Sequence, residues 1–330
     1  MSVAESRTSN PLILSVVVPV LNEEANLREL VRLLSLTLDG AGIPFELLFV
    51  NDGSTDGTRS ILTELHRADP RVKSLHLARN FGHQAAISAG LQAAGGDAVV
   101  IMDGDLQDSP DMLLRLVEEW RRGADVVYAV RSQRSESVVK RAAYGLFYRL
   151  LDRISDIRIP LDSGDFSLLG RNVVDVLNSM PERTRFIRGM RSWVGFRQVG
   201  VEHIRGPRFA GTAKYTFGKL LRLAFDGFVG FSYRPLQLAS LFGAVVSVMA
   251  FLLALGLVVL KLTHGIPLLG WTSLMVGMLF FGGVQLICVG ILGEYVGRIY
   301  EEVRGRPPYV VASVLGDVQG RIASADRTRP

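Results

Sequence analysis

The chain has 330 residues, with 37 Lys and Arg against 32 Asp and Glu, a formal charge of +5, 48% hydrophobic residues and one cysteine. That is enough apolar material for a full core, and a lone cysteine excludes both a disulfide framework and a thiolate metal site. The basic balance suits phosphates or an anionic lipid surface; with no recognition-helix or RNP pattern in the sequence, nucleic acid is not an expected partner.

Residues 1–11, MSVAESRTSNP, have no basic n-region, and the apolar run behind them is short and meets Asn22-Glu23-Glu24. A flexible N-terminus is expected there, not a signal peptide. From residue 12 to 212, short β-branched runs alternate with longer stretches of helical spacing. Strands are predicted at Ser15–Pro19, Glu46–Asn51, Lys73–Leu77, Ala98–Met102 and Val126–Val130, and helices at Glu23–Leu38, Thr58–Ala68, Gln84–Ala94 and Met112–Arg122. The alternation predicts an α/β domain with a doubly wound, mostly parallel sheet and its ligands at the carboxyl ends of the strands.

The polar motifs gather at those ends. Pro19 and Glu23 follow the first strand, where they could line a cleft. After the second comes NDGSTDGT, Asn51 to Thr58, in which Asp52 can accept from a nucleobase N–H or a ribose hydroxyl, while Ser54, Thr55 and Asp56 serve as turn formers and as caps of the next helix. The fourth strand runs into VVIMDGDLQDSP, where Asp103, Asp105 and Asp108 repel one another unless a cation sits between them. Asp103 and Asp105 flank Gly104, and a bend at the glycine lets both carboxylates face one hard cation. With no neighbouring His or Cys, that cation is expected to be Mg2+ or Mn2+, its shell completed by water and substrate phosphate.

Residues 131–145, RSQRSESVVKRAAYG, read as a mobile loop passing into a helix. In YTFGKLLRLAFDGFVGF, the residues Phe217, Leu220, Leu221, Ala224, Phe225 and Phe228 share one helical face with Lys219 and Arg222 beside it, so an interfacial amphipathic segment is expected over residues 213–234. Leu236–Leu260 and Trp271–Leu292 carry no charge, and at about 1.5 Å per residue each crosses a hydrocarbon layer of about 30 Å. Two transmembrane helices are therefore predicted within residues 235–293, with Cys288 packing in the second. Arg222 and Arg234 precede the first span, and Arg298, Arg304 and Arg306 follow the second. The polar domain and both termini are thus expected on the cytoplasmic side, residues 294–330 forming a tail.

Taken together, VVVPVLNEE, NDGSTDGT, LARNFGHQAAISAGLQAA and MDGDLQDSP, in this order and spacing, resemble the family 2 glycosyltransferases of the GT-A fold. DSGDFSLL, RFAGTAKYTFGKLLRLAFDGFVGFS, the two apolar runs and GEYVGRIYEEVRGRPPY look like its bactoprenol glucosyltransferase branch, related to dolichyl-phosphate mannose synthases; the resemblance covers nearly all of residues 12–311. It implies a GT-A doubly wound mixed sheet and a metal-dependent, inverting transfer of one hexose to polyprenyl (undecaprenyl) phosphate at the cytoplasmic face of the plasma (inner) membrane. UDP-glucose is the favoured donor, with GDP-mannose, UDP-galactose or a UDP-N-acetylhexosamine as the alternatives. Nucleoside binding is implied for Pro19, Glu23 and Asp52, and metal and diphosphate binding for Asp103 and Asp105. Asp165 of the GDF segment is placed near the reacting sugar. Arg131, Arg208 and Lys214 match positions that hold the acceptor phosphate or the diphosphate. His83 matches a donor-binding loop, with a structural or capping histidine as the equal alternative.

Processive synthases of the superfamily carry QxxRW where this sequence has RSWVGF, which argues against a polymerising enzyme. Because a polyprenyl phosphate, with a second pKa of about 6, is already mostly dianionic near pH 7, Asp165 is expected to orient groups and not to act as an indispensable base. A homo-oligomer is expected. The alternative of another class, a nonenzymatic nucleotide-binding membrane scaffold, predicts a degraded acidic motif or a missing Asp165, and both are intact.

Overall fold

Every residue of β1 (Leu14–Val20) and β2 (Phe45–Asn51) is buried, as parallel strands covered on both faces must be, and this is why they read as unbroken apolar runs. With β3 (Val72–Leu77) and β4 (Ala98–Ile101) they form a parallel centre in the order β4-β1-β2-β3. The chain winds outward from β1 to β3 and then returns to the other side of β1. The connections leaving β1 and β4 therefore diverge, which opens a crevice at their carboxyl ends.

This description comes from a computed structural model and covers residues 13–131, 163–183, 185–203, 243–246, 248–253, 255–256, 259, 262–263 and 270–318. One compact unit draws its described residues from 13–203 and 306–318, the other from 243–305. Arg208, Lys214, the interfacial segment 213–234 and all but the first residue of the expected loop 131–145 lie outside the described residues.

The crossovers are α1 (Leu27–Gly40), α2 (Thr58–Ala68), α3 (His83–Ala93) and α4 (Pro110–Arg121). In α1 the buried Leu27, Leu30, Val31, Leu34 and Leu38 form a single stripe. Strand side chains alternate between two apolar layers, Val16, Val18 and Val20 joining α1 and α4, and Val17, Val99 and Ile101 joining α3. Close seating of α3 depends on Gly90, where a Cβ would stand 2.2 Å from Val17 Cγ1.

Beyond the five predicted strands the sheet has three more. β5 (Val126–Arg131), β6 (Ser163–Gly170), β7 (Gln198–His203) and β8 (Val311–Leu315) complete the order β7-β5-β6-β4-β1-β2-β3-β8. The sheet is mixed: β6 runs antiparallel to both β4 and β5, β7 is parallel to β5, and β8 is antiparallel to β3. β6 escaped the sequence reading because its inward positions include Ser167, which is fully buried, so no clean apolar alternation marks it. α5 (Arg171–Ser179) and α6 (Ile187–Trp193) follow it and pack Val173, Val174, Leu177, Ile187 and Met190 into the α3 layer. Residues 311–315, within the segment expected as a tail, instead close the β3 edge, and Val318 is buried there.

In the second unit, α7 (Trp271–Arg304) has 34 residues, about 51 Å at 1.5 Å per residue, and ends on Gly305 at φ 70°. Its segment Phe280–Arg304, with a mean hydropathy of 1.5 and no buried residue, is the one helix among the described residues long and apolar enough to cross a membrane. Two spans were expected. The second falls within α7; of the first, the described residues are helical, and residues 236–242 with several others lie outside the description.

Candidate active site

After β1 ends at Val20, α1 does not start until Leu27, four residues later than predicted. In between, the N–H groups of Asn22, Glu23 and Glu24 donate to Ser54 Oγ (3.0 Å), Thr58 Oγ1 (3.0 Å) and Asp56 Oδ2 (3.3 Å). In return Asn22 Oδ1 accepts the Thr55 N–H at 2.8 Å and Glu24 Oε2 the Gly57 N–H at 2.7 Å. Free N–H groups ahead of a helix need side-chain acceptors, and here the motif after β2 supplies them to the loop after β1. Asp56 alone of the expected caps also serves its own helix, Oδ1 accepting the Thr58 N–H at 3.0 Å. Glu23 Oε2 accepts from Asn26 Nδ2 at 2.6 Å, and Pro19 is buried opposite Val50.

Asp52, 3% exposed, turns its carboxylate to the loop after β3: Oδ1 accepts the Phe81 N–H at 2.7 Å and Oδ2 the Gly82 N–H at 2.9 Å. That loop can approach because position 53 is glycine, at φ +71°, where a Cβ would meet Arg79 C at 2.5 Å and Asn80 N at 2.6 Å. The residue predicted to bind ligand thus also builds the loop that delivers His83, the first residue of α3. Behind it, Asn51 Oδ1 accepts the Ser54 N–H at 2.9 Å, so its amide nitrogen donates to His76 Nδ1 at 3.2 Å. His76 Nε2 then carries the proton and donates to Ser74 Oγ at 3.1 Å. Burial, reinforced by the Arg59 charge, holds His76 down at about 4, so it is neutral.

β4 pairs Ile101 with Ser167 of β6. Asp103 lies two residues beyond that last pair and Asp165 two residues before it, so the two acids enter the same region of the fold. Both acids line a small cleft with Asp108, Ala129, Gly164, Phe166 and His203. His83 Nε2 stands 3.5 Å from Asp165 Oδ2 and 3.8 Å from Asp103 Oδ1. Gln84 Nε2 donates to Asp165 Oδ2 at 3.3 Å while Gln84 Oε1 accepts the Ile187 N–H at 2.9 Å, tying α6 to the site.

α6 adds two arginines that no motif pointed to. Arg188 Nη2 is 3.4 Å from Asp165 Oδ1; Arg191, 1% exposed, lies over the Tyr128 ring at 5.0 Å and reaches the Gly164 carbonyl at 3.5 Å. Burial pushes the Asp165 carboxyl up, but the His83 contact and the charges of Arg188, His83 and Arg191 together outweigh it and hold the group at about 2. For His83, burial works against the charge, yet Asp165 and Asp103 prevail and the imidazole is raised. Burial and the repulsion of Arg188 lower Arg191 to about 10, still charged near neutrality.

Among the described residues no three His, Cys, Asp or Glu side chains form a ready-made cation cage. Asp108, third of the predicted acid cluster, is engaged by His203, Oδ1 to Nε2 3.1 Å, both buried. Asp103, with its side chain 37% exposed, and Asp105, whose Oδ1 accepts the Gln107 N–H at 3.2 Å, remain as solvent-accessible carboxylates. The sequence showed no histidine near these acids, but the fold brings His83 Nε2 to 3.8 Å from Asp103; the two carboxylates themselves are oxygen donors of the kind that suits Mg2+ or Mn2+. Arg131, the last residue of β5, lies opposite His203 of β7, at the same end of the sheet.

The profile described as Glycosyl transferase family 2 matches residues 15–177. An uncharacterised glycosyltransferase of Bacillus subtilis (strain 168) is 46% identical over 303 residues, 92% of this chain and 94% of its own. The bactoprenol glucosyl transferase of Shigella phage SfII is 42% identical over 299 residues, 90% of this chain and 97% of its own. A prophage bactoprenol glucosyl transferase homolog of Escherichia coli (strain K12) is 40% identical over 302 residues, 91% and 99% of the two chains. Among solved structures, glucosyl-3-phosphoglycerate synthase from Mycobacterium tuberculosis in complex with phosphoglyceric acid aligns with a TM-score of 0.43 at 22% identity, covering 68% of this chain and 80% of that one. Sequence identity at this level over nearly the whole of the curated relatives shows that the chain belongs to glycosyl transferase family 2 and is a glycosyltransferase.

Proposed function

We propose that the chain is an inverting enzyme that moves one glucose from UDP-glucose to the phosphate of a polyprenyl phosphate at the cytoplasmic face of the inner membrane. The observation that carries this reading is the full-length likeness to proteins called bactoprenol glucosyl transferase. The chemistry of the crevice accords with it. Two unit charges 4 Å apart repel by ~4 kcal/mol at an effective dielectric of 20, and here a phosphate dianion must meet a nucleotide diphosphate. The site's task is therefore to offset charge. It has little need to create a nucleophile.

Asp103 and Asp105 would hold a divalent ion, which when bound neutralises the leaving diphosphate. Arg131, with Arg208 and Lys214, would hold the acceptor phosphate through charge-assisted hydrogen bonds. Pro19, Glu23 and Asp52 would bound the nucleoside end; each Asp52 oxygen keeps a lone pair beyond the one given to the loop. Asp165, held at about 2, is a far weaker base than a phosphate of pKa about 6, so its role is to orient His83, Gln84 and Arg188 around the sugar.

The catalytic domain would be held at the bilayer by the interfacial segment and two spans, α7 being the second, with both termini cytoplasmic. An acceptor confined to the same surface then meets the site at high effective concentration. The assay supplies radiolabelled UDP-glucose, GDP-mannose and UDP-galactose in turn to membranes containing the full chain and undecaprenyl phosphate. Label should enter the organic phase from UDP-glucose, and not after EDTA. Label entering from GDP-mannose alone would replace the donor, and label passing to protein or a growing polysaccharide would overturn the reading.

A further inference from the structure

Arg188 and Asp165 approach each other without bonding. Nη2 stands 3.4 Å from Oδ1, yet that buried oxygen receives no hydrogen bond among the described residues, and Arg188 Nε, equally shut off from solvent, donates none. A guanidinium committed to a carboxylate forms two parallel N–H···O bonds of about 2.8 Å. Among the described residues Arg188 also lies beside the Phe186 ring, 5.8 Å from its Cζ, which offers no oxygen. The guanidinium is held beside its counter-ion with donors to spare.

The surrounding charge leads to the same conclusion. Asp165 is the common counter-ion of Arg188 and Arg191, and His83 also leans on it. Arg191 is 1% exposed and is destabilised by Arg188. Asp103, next to His83, belongs to the cation site proposed above. With the Arg188 side chain 31% exposed at the edge of the site and Arg191 buried behind it, this excess of positive over negative charge favours an anion joining it from the cleft. The main chain that carries Arg188 is itself anchored to the site, the preceding N–H, of Ile187, donating to Gln84 Oε1 at 2.9 Å and Gln84 Nε2 to Asp165 Oδ2 at 3.3 Å.

We infer that Arg188 is a phosphate-binding residue: its spare N–H groups take a phosphate oxygen of the bound substrate while Asp165 keeps the guanidinium aimed. The oxygen belongs either to the donor diphosphate or to the acceptor monophosphate. The inference rests on the proposed transfer between these two, so wild-type transfer is measured alongside. The full-length protein in detergent, with Arg188→Ala and Arg188→Lys variants, is titrated with UDP plus Mg2+ and separately with farnesyl monophosphate, and KM is measured for donor and acceptor.

Arg188→Ala should weaken one ligand by about 10- to 100-fold, the range of a charge-assisted hydrogen bond, with the matching KM rising and Arg188→Lys recovering part of the loss. Loss confined to UDP identifies the donor diphosphate, and loss confined to farnesyl monophosphate the acceptor. Both affinities staying within threefold of wild type, whatever happens to kcat or thermal midpoint, would reduce Arg188 to a structural residue and overturn the inference. A wild type that transfers no sugar would sink the transfer reading instead, and the titrations, which need no turnover, would still decide Arg188.

Discussion

Replacing Gly53 with alanine tests whether the loop after β3 is built onto Asp52 as described. The new Cβ would lie 2.5 Å from Arg79 C, against an ordinary contact of about 3.5 Å, so the Arg79–Gly82 loop must retreat by about 1 Å. The hydrogen bonds from Phe81 and Gly82 to Asp52, now 2.7 and 2.9 Å, would lengthen past useful range. Alanine at φ +71° adds roughly 1 kcal/mol of backbone strain, and each of the two lost charge-assisted bonds about 2 kcal/mol more. His83 follows the loop away from Asp165 and Asp103, and a misplacement of about 1 Å commonly costs about 100-fold in rate. Initial-rate kinetics of sugar transfer should therefore show kcat/KM reduced by about that factor. Asp52→Asn, whose amide accepts at only one oxygen, should lose activity in the same direction, and the double variant should be little worse than the poorer single one. A Gly53→Ala protein that transfers within threefold of wild type, with an unchanged thermal midpoint, would refute the argument.

Asp165→Asn should lose most turnover and recover none of it as pH is raised; a wild-type rate that tracks a side-chain pKa well above that of the phosphate, and disappears in this variant, would instead make Asp165 a base. Asp103→Asn should raise the Mg2+ concentration needed for half-maximal transfer, measured by metal titration after EDTA treatment; an unchanged requirement would move the cation elsewhere. Far from the crevice, burial pushes the Glu46 carboxyl up, but Lys73, Ser15 and the Gly95 N–H hold it at about 2 against 4.5. A depressed carboxyl stabilises the fold above its unfolded pKa, so on the order of 3 kcal/mol is present above pH 4.5 and fades as pH falls toward 2. Denaturant titrations of Glu46→Gln at pH 7 and pH 3 should show a loss at the first and roughly half of it or less at the second.

Local periodicity was sufficient for the parallel centre: each of β1 to β5 and α1 to α4 lies within a few residues of its predicted span. The acidic strand end at Asp103 was legible because an apolar run that stops at paired carboxylates is a pattern of neighbouring residues. The apolar length of α7 was legible for the same reason. Sequence alone could not bring Asp165 into one cleft with Asp103, since that depends on β6 entering antiparallel between β4 and β5, a pairing settled by long-range contacts. Tertiary packing likewise turned Ser54 and Thr58 into caps for a different loop and returned residues 311–315 to the sheet edge. It also brought Arg188 and Arg191 to the acid from a helix whose sequence carries no mark of the site. Burial and charge pairing at a site are sums over distant segments, and no window along the chain contains them.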